Sequence, residues 1–175
     1  MQQSRRRLDG KVAIVTGAGS SGPGVGTGKA ISVQFAREGA QVLLVDQVSD
    51  RADETLAMVR EEGGKASVYE ADVTKAEDCK AMVEAAVERY GALHILVNNV
   101  GILRAGNVVD IKEEHWDQVL DVNLKSMMLA SRYAVPKMVQ AGGGAIINMS
   151  SGGGLRGAMD DSVAYAASKG GVVAL

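Results

Sequence analysis

The chain has 175 residues, of which 46% are hydrophobic and 23% charged, with a formal net charge of −2. This composition is typical of a soluble globular domain and gives no sign of nucleic-acid binding. No apolar run is long enough to span a membrane, and the single cysteine, Cys79, excludes an intrachain disulfide framework. His94 and His115 lack partners at ligand spacing, so no metal site is predicted. We expect a single domain over residues 1–175, located in the cytoplasm.

Short apolar strands alternate with helical patterns along the chain. Strands are predicted at residues 11–16, 41–46, 66–71, 94–97 and 145–150. Helices are predicted at residues 29–38, 50–62, 75–90 and 112–140, and a last helix begins near Ser162. Continuously apolar strands with intervening helices indicate an α/β fold, a doubly wound parallel sheet with helices on both faces.

The number of predicted strands is informative. A full doubly wound dinucleotide-binding fold has six strands, whereas the sequence predicts five. The sequence stops at Leu175, within an apolar helical pattern. We therefore expect a domain that is C-terminally incomplete, with the last strands of the fold missing.

A glycine-dense loop, residues 17–28, separates the first strand from the first helix. Glycines let the backbone turn sharply and approach a pyrophosphate, whose charge the helix N-terminus meets. Asp46 ends the second strand at about the distance expected of a ribose-binding acid. A carboxylate there accepts the ribose hydroxyls and repels a 2′-phosphate, so NAD is predicted over NADP. Gln47 follows, and Arg51 is the residue that can offset this preference.

Tyr165 and Lys169 are four residues apart and share one face of the last predicted helix. A fixed ammonium close to a phenol favours the phenolate form. Tyr165 is therefore a candidate general acid/base. The alternative is an aromatic residue beside a solvated lysine, since this spacing alone is common.

Two other polar positions accompany this pair. Asn123 falls on or beside the buried stripe of the long predicted helix. It holds a water for proton delivery or bonds the backbone where the helix bends, and the two roles are compatible. Ser150 and Ser151 end the fifth predicted strand, at the sheet edge where ligands bind. A hydroxyl there, facing Tyr165, can donate to a carbonyl oxygen.

Together these motifs resemble the short-chain dehydrogenase/reductase family in its single-domain form. The matching segments are Thr16-Gly17, Asp72-Val73, Asn98-Asn99-Val100-Gly101, Asn123, Ser151 and Tyr165-Ala166-Ala167-Ser168-Lys169. The resemblance implies that Tyr165 is the general acid/base and that Ser151 polarises the substrate oxygen. It also implies that Lys169 binds the nicotinamide ribose and favours the Tyr165 phenolate, while Asn123 supports a proton relay.

The resemblance further implies a set of cofactor-binding residues. They are Gly17, Ser20, Gly26, Thr27, Gly28, Asp46, Gln47, Asp72, Val73, Asn99, Val100, Gly101, Tyr165 and Lys169. The implied reaction moves a hydride between nicotinamide C4 and the carbinol carbon of a secondary alcohol or ketone. Sugar alcohols, oxoacyl thioesters, steroids and cyclic diols all suit these residues. A homo-oligomer is implied for the full-length protein.

Three features depart from the family pattern. The glycine motif ends at Gly26-Thr27-Gly28 and therefore carries an insertion, residues 21–25. Val100 replaces the alanine that is usual in the family. The strands and the substrate-covering segment that follow the last helix in the family are expected to be missing from these 175 residues. Residues 102–109 and 152–163 are expected to line the substrate pocket, with polar groups from Arg104, Arg156, Asp160 and Asp161. The alternatives to an enzyme are a non-catalytic dinucleotide-binding fragment and a carbonyl-sensing or scaffold protein.

Overall fold

The computed structural model describes residues 6–22, 24–157 and 161–175, in which five strands form one parallel sheet. The strands are β1 Val12–Thr16, β2 Gln41–Asp46, β3 Lys65–Glu70, β4 Ile95–Asn98 and β5 Ala145–Asn148. Their order in the sheet is β3-β2-β1-β4-β5, and each neighbouring pair is parallel. The predicted doubly wound α/β fold is confirmed.

Helices cover both faces of the sheet. They are α1 Thr27–Arg37, α2 Ser49–Glu61, α3 Ala76–Tyr90, α4 Glu113–Leu120, α5 Ser126–Gln140, α6 Gly152–Arg156 and α7 Val163–Ala174. Along β1, Ala13 and Val15 pack with α1 and α2, whereas Ile14 packs with α3 and α5. Successive strand residues point to opposite faces. Because both faces are covered, consecutive apolar residues are buried along the inner strands, at positions 12–15, 42–45 and 95–97.

The helix predicted over residues 112–140 is interrupted. A π-helical turn, Asp121–Lys125, separates α4 from α5. The apolar spacing continues through the turn, so periodicity did not reveal it. In α5, Met127 is buried, whereas the neighbouring Met128 is 40% exposed.

The segment after β5 also differs from the prediction. The strand ends at Asn148 rather than Ser150, although Met149 N still donates to Asn98 O at 3.0 Å. The glycine cluster that follows forms the short helix α6, which the sequence did not predict. Ser151 is its N-cap residue, and Ser151 Oγ accepts a hydrogen bond from Gly153 N at 3.3 Å. Such a cap favours the start of a helix because it satisfies an otherwise unpaired N–H group.

The two edges of the sheet, β3 and β5, differ in how they are covered. At the β3 edge, Arg89 Nη1 donates to Val68 O at 2.9 Å, and the guanidinium lies 5.5 Å from the Tyr69 ring centre. A cation placed there discourages further strand pairing. At the β5 edge, Ile147 is 40% exposed, and no strand among the described residues pairs with the outer side of β5. The sheet is therefore open to extension at β5.

His94 precedes β4 and connects it to β1. His94 Nδ1 accepts a hydrogen bond from Val12 N at 3.0 Å, which requires the neutral imidazole. Burial lowers the pKa of His94 from its ordinary value, and the charge of Lys11 lowers it further. Protonation of His94 in the folded chain therefore removes a contact between two central strands.

We predict that mild acid destabilises the fold through His94. Above the unfolded-state pKa of about 6.5, His94 is neutral in both the folded and the unfolded chain, so it does not change the free energy of unfolding. As the pH falls through that value toward the lower folded-state pKa, the unfolded chain binds the proton first, so the free energy of unfolding decreases. Urea unfolding between about pH 7.5 and pH 5 measures this decrease, which should be smaller in a His94→Asn variant. An equal decrease in both proteins would contradict the assignment to His94.

Candidate functional site

A cleft of about 770 Å³ lies at the carboxyl ends of the strands. The strand order reverses between β1 and β4, and ligands of open α/β sheets bind at such a point. Every residue of the predicted cofactor-binding set lines this cleft except Tyr165 and Lys169. Gln118, Asp121 and Val122 form a wall that the sequence did not predict. They lie on α4 and the π-helical turn, and no local motif connects them with the glycine loop.

The glycine loop brings α1 directly against the end of β1. Gly17 has a φ of +63°, and a Cβ added at Gly28 would lie 1.9 Å from Gly17 O. Only glycine permits this approach of helix to strand. Gly26 is the N-cap residue of α1 and provides no side-chain hydrogen bond. The N–H groups of the first turn therefore have no side-chain cap and can meet an anionic group.

Asn99 joins the ends of β1 and β4. Its Nδ2 donates to Thr16 O and to Gly17 O, both at 3.1 Å, and its backbone N donates to Thr16 Oγ1 at 3.1 Å. Thr16 Oγ1 in turn donates to Val97 O at 3.2 Å. The Asn99 side-chain amide thus bonds to backbone carbonyls of the protein itself and fixes the turn at Gly17.

Asp46 presents its carboxylate at the cleft from the end of β2. Its Oδ2 accepts from Gly19 N at 3.0 Å and its Oδ1 from Val48 N at 3.1 Å. Gly19 was not in the predicted set, yet a Cβ there would lie 2.4 Å from Arg51 Cβ. Arg51 lines the same cleft. The acid predicted to favour NAD and the cation that can offset it therefore lie in one cleft.

Gln47 and Asp72 occupy the part of the cleft beside β3. Asp72 Oδ1 accepts from Thr74 N at 3.0 Å and from Thr74 Oγ1 at 2.7 Å, which closes a tight turn. Gln47 Nε2 donates to Asp72 Oδ2 at 3.4 Å. Val73 is largely buried beneath this turn. This part of the cleft is therefore lined by the polar residues Gln47 and Asp72 and by the apolar residue Val73.

The four predicted catalytic residues come together around α7. A Cβ added at Gly101 would lie 3.4 Å from Lys169 Nζ and 3.6 Å from Asn123 Oδ1. A Cβ added at Gly153 would lie 3.7 Å from Ser151 Oγ and 3.9 Å from the Tyr165 ring. Lys169 Nζ lies 5.8 Å from the centre of that ring. Because Gly101 also lines the cleft, this cluster adjoins the predicted cofactor site.

The ammonium of Lys169 is buried. The residue is 3% exposed, and Lys169 Nζ donates to Met149 O at 2.6 Å. Within the described residues no carboxylate forms a salt bridge with it. Burial lowers the pKa of Lys169 from its ordinary value. The cluster therefore holds a weakly screened positive charge near Tyr165.

Asn123 is fully buried within the π-helical turn. Its Oδ1 accepts from Ile102 N at 2.7 Å, while its Nδ2 donates to Ile102 O at 2.9 Å and to Ser168 Oγ at 3.0 Å. Ser168 Oγ donates to Tyr165 O at 2.7 Å. Asn123 thus bonds backbone where the helix is irregular and connects the cleft wall with α7. Ser168 belongs to the Tyr165–Lys169 sequence motif, but only the fold reveals this contact.

Some predicted features lie outside the described residues, namely Pro23 of the insertion and Asp160 of the expected substrate pocket. In the described part of the chain, no group of three or more His, Cys, Asp or Glu side chains is placed to hold a metal ion. No described helix is both long and apolar enough to cross a membrane.

The chain matches a known family along most of its length. A family model described as short chain dehydrogenase matches residues 11–175. The chain belongs to the short-chain dehydrogenase family. This confirms the family predicted from the sequence motifs.

Two relatives of this chain have names that describe them as dehydrogenases. Cyclohexanol dehydrogenase from Acinetobacter sp. is 39% identical over 170 residues, which cover 97% of this chain and 65% of the relative. D-threitol dehydrogenase from Mycolicibacterium smegmatis is 38% identical over 167 residues, which cover 95% and 62% of the two chains. Across the first curated relatives, the chain spans 57% to 66% of their length.

Solved structures show the same fold. The structure of an NAD⁺-bound xylitol dehydrogenase has a TM-score of 0.89 and 30% identity, and the match covers 96% of this chain and 64% of the other. A short chain dehydrogenase from Mycobacterium smegmatis also has a TM-score of 0.89, with 38% identity over 96% and 69% of the two chains.

We predict that Gly28→Ala destabilises the chain by about 1–3 kcal/mol, because the added Cβ overlaps Gly17 O and forces α1 away from β1. Gly22→Ala is the matched control, since a Cβ at Gly22 meets nothing within 4 Å. Chemical denaturation of both variants measures the difference. Equal stability of the two variants would contradict the close packing described for Gly28.

Proposed function

We propose that the chain binds NAD(H) in the cleft and belongs to an enzyme that transfers a hydride between NAD(H) and a secondary alcohol or ketone. The observation that carries this proposal is the cluster of Asn123, Ser151, Tyr165 and Lys169 beside the cleft at the carboxyl ends of the strands. The names of two relatives support it, since cyclohexanol and D-threitol both carry secondary hydroxyl groups.

The residues of the cleft suit a dinucleotide. The uncapped N-terminus of α1 and the glycine loop would hold the pyrophosphate, because glycines allow close approach and the helix dipole favours an anion. Asp46 would accept the adenosine ribose hydroxyls, and Asp72 and Val73 would contact the adenine. Lys169 would bind the nicotinamide ribose. When bound, the cofactor supplies or accepts the hydride at nicotinamide C4.

The remaining chemistry is proton transfer at the substrate oxygen. Tyr165 Oη would give or take that proton, and the Lys169 ammonium lies 5.8 Å from the centre of the Tyr165 ring. Ser151 Oγ accepts from Gly153 N, so its O–H group can donate to the substrate oxygen. Asn123 would act by holding Ile102 and Ser168, and through them the position of Tyr165.

The rival is a dinucleotide-binding chain without turnover. The outer side of β5, with which no described strand pairs, is the observation that favours this rival. Homo-oligomerisation and a cytoplasmic location stay predictions from resemblance and composition.

Calorimetry with NAD and NADP tests the cofactor assignment. We expect NAD to bind more tightly than NADP, because the Asp46 carboxylate repels the 2′-phosphate. Asp46→Asn should narrow the ratio of the two dissociation constants by about tenfold, or ~1.4 kcal/mol. Arg51→Ala removes the cation that can offset the Asp46 charge, so it should weaken the binding of NADP more than the binding of NAD. Tighter binding of NADP by the wild-type chain would refute the preference, and binding of neither by a folded chain would refute the cofactor site.

Turnover with NAD and secondary alcohols tests Tyr165. We expect Tyr165→Phe to lower kcat by about 10²–10⁴-fold, because the general acid/base is removed. The Kd for NAD should change far less than kcat, because the residues that line the cleft are unaltered. Tyr133→Phe is the matched control, since Tyr133 packs against the α3–α5 core. Equal turnover by the Tyr165→Phe protein would refute the proton-transfer role. Tight NAD binding by a wild-type chain that turns over no alcohol or ketone would favour the non-catalytic rival.

A further inference from the structure

Helix α6 rests directly on the backbone of α7. A Cβ added at Gly154 would lie 2.4 Å from Lys169 C, 2.5 Å from Lys169 O and 2.7 Å from Gly170 N. Ordinary contacts of a Cβ begin at 3.4 Å. All three neighbouring atoms belong to backbone, so no side-chain rotation can relieve the overlap. Only glycine at position 154 permits this spacing of the two helices.

Two hydrogen bonds join the same segment to Lys169. Ser150 Oγ donates to Lys169 O at 2.8 Å, and Lys169 Nζ donates to Met149 O at 2.6 Å. The carbonyl that Gly154 approaches is therefore also the acceptor of Ser150. Residues 149–154 thus contact Lys169 at both its backbone and its ammonium group.

Ser151 belongs to this segment too. It is the N-cap residue of α6, and a Cβ added at Gly153 would lie 3.7 Å from Ser151 Oγ and 3.9 Å from the Tyr165 ring. A shift of α6 away from α7 would therefore move Ser151 relative to Tyr165. It would also move Met149 O, the acceptor of the Lys169 ammonium.

We propose that Gly154 is a positioning residue for the proton-transfer cluster. Its missing side chain lets α6 approach Lys169 closely enough to place Ser151 beside Tyr165 and to keep the ammonium on Met149 O. The catalytic consequence rests on the proposed function, whereas the position of α6 does not.

Gly154→Ala and Gly152→Ala form a matched pair of variants. Both replace a glycine of α6 by a better helix former, but a Cβ at Gly152 meets nothing within 4 Å. Relief of the Gly154→Ala overlap requires a displacement of about 1 Å, and a misplacement of this size can cost up to about 100-fold in rate. We expect kcat to fall about 10- to 100-fold in Gly154→Ala, with the Kd for NAD within about twofold. Because Gly152 lies in the expected pocket segment, Gly152→Ala is the control for Lys169 labelling only. Gly22→Ala, where an added Cβ also meets nothing within 4 Å, is the control for turnover and should keep the wild-type kcat.

Amine labelling with acetic anhydride, followed by mass spectrometry, provides a readout that needs no turnover. Lys169 is 3% exposed and should react slowly in the wild-type chain, but several-fold faster in Gly154→Ala. Lys29 on α1 is 4% exposed and serves as the internal reference, with an unchanged rate. Ser150→Ala removes the bond to Lys169 O without adding volume. Ser150→Ala should also accelerate Lys169 labelling, but by a smaller factor than Gly154→Ala.

The outcomes separate this inference from the proposed function. The positioning role would be overturned if Gly154→Ala matched Gly22→Ala in kcat and matched Gly152→Ala in Lys169 labelling. A parallel rise in Lys29 labelling would also overturn it, because it would indicate general loosening of the fold. If the wild-type chain shows no turnover, the proposed function fails, and the labelling comparison still decides whether Gly154 sets the position of α6.

Discussion

The buried ammonium of Lys169 is the constraint on which the arrangement of the site depends. Burying a charge is costly unless polar groups meet it, and here the contact is a carbonyl oxygen, Met149 O. That carbonyl lies just beyond β5, while the lysine lies on α7. The loop that follows β4 closes over the ammonium at Gly101. The charge is therefore buried only when two strand ends and a helix converge, so the site exists only in the folded chain.

Close contacts at glycine positions recur in several parts of the site. They set the approach of α1 to β1, of the glycine loop to α2, of α6 to α7, and of the π-helical turn to α7. The glycines at these contacts are Gly28, Gly19, Gly154 and Gly171. In each case an added Cβ would lie within 2.6 Å of an atom of the neighbouring element. The glycine richness of the chain is thus partly a packing requirement, since side chains would hold these elements apart.

Asn123 shows how one side chain links the two parts of the site. Its amide bonds both backbone groups of Ile102, which lines the cleft, and also Ser168 on α7. Buried amides are stable when such partners are present. The π-helical turn that carries Asn123 is irregular, and π-helical turns are often found at functional sites. The turn therefore couples the wall of the cleft to the helix that carries Tyr165.

The sequence by itself determined the fold class, the family and most of the cleft. Apolar strands, the glycine loop and Asp46 at a strand end are local patterns, and local patterns can be read in chain order. Tertiary structure decided the π-helical turn, helix α6, the cleft wall at Gln118 and the roles of Ser150, Ser168 and Gly154. These features depend on contacts between segments far apart in the chain. Periodicity reports which face of an element is buried, but it does not report which backbone atom meets that face.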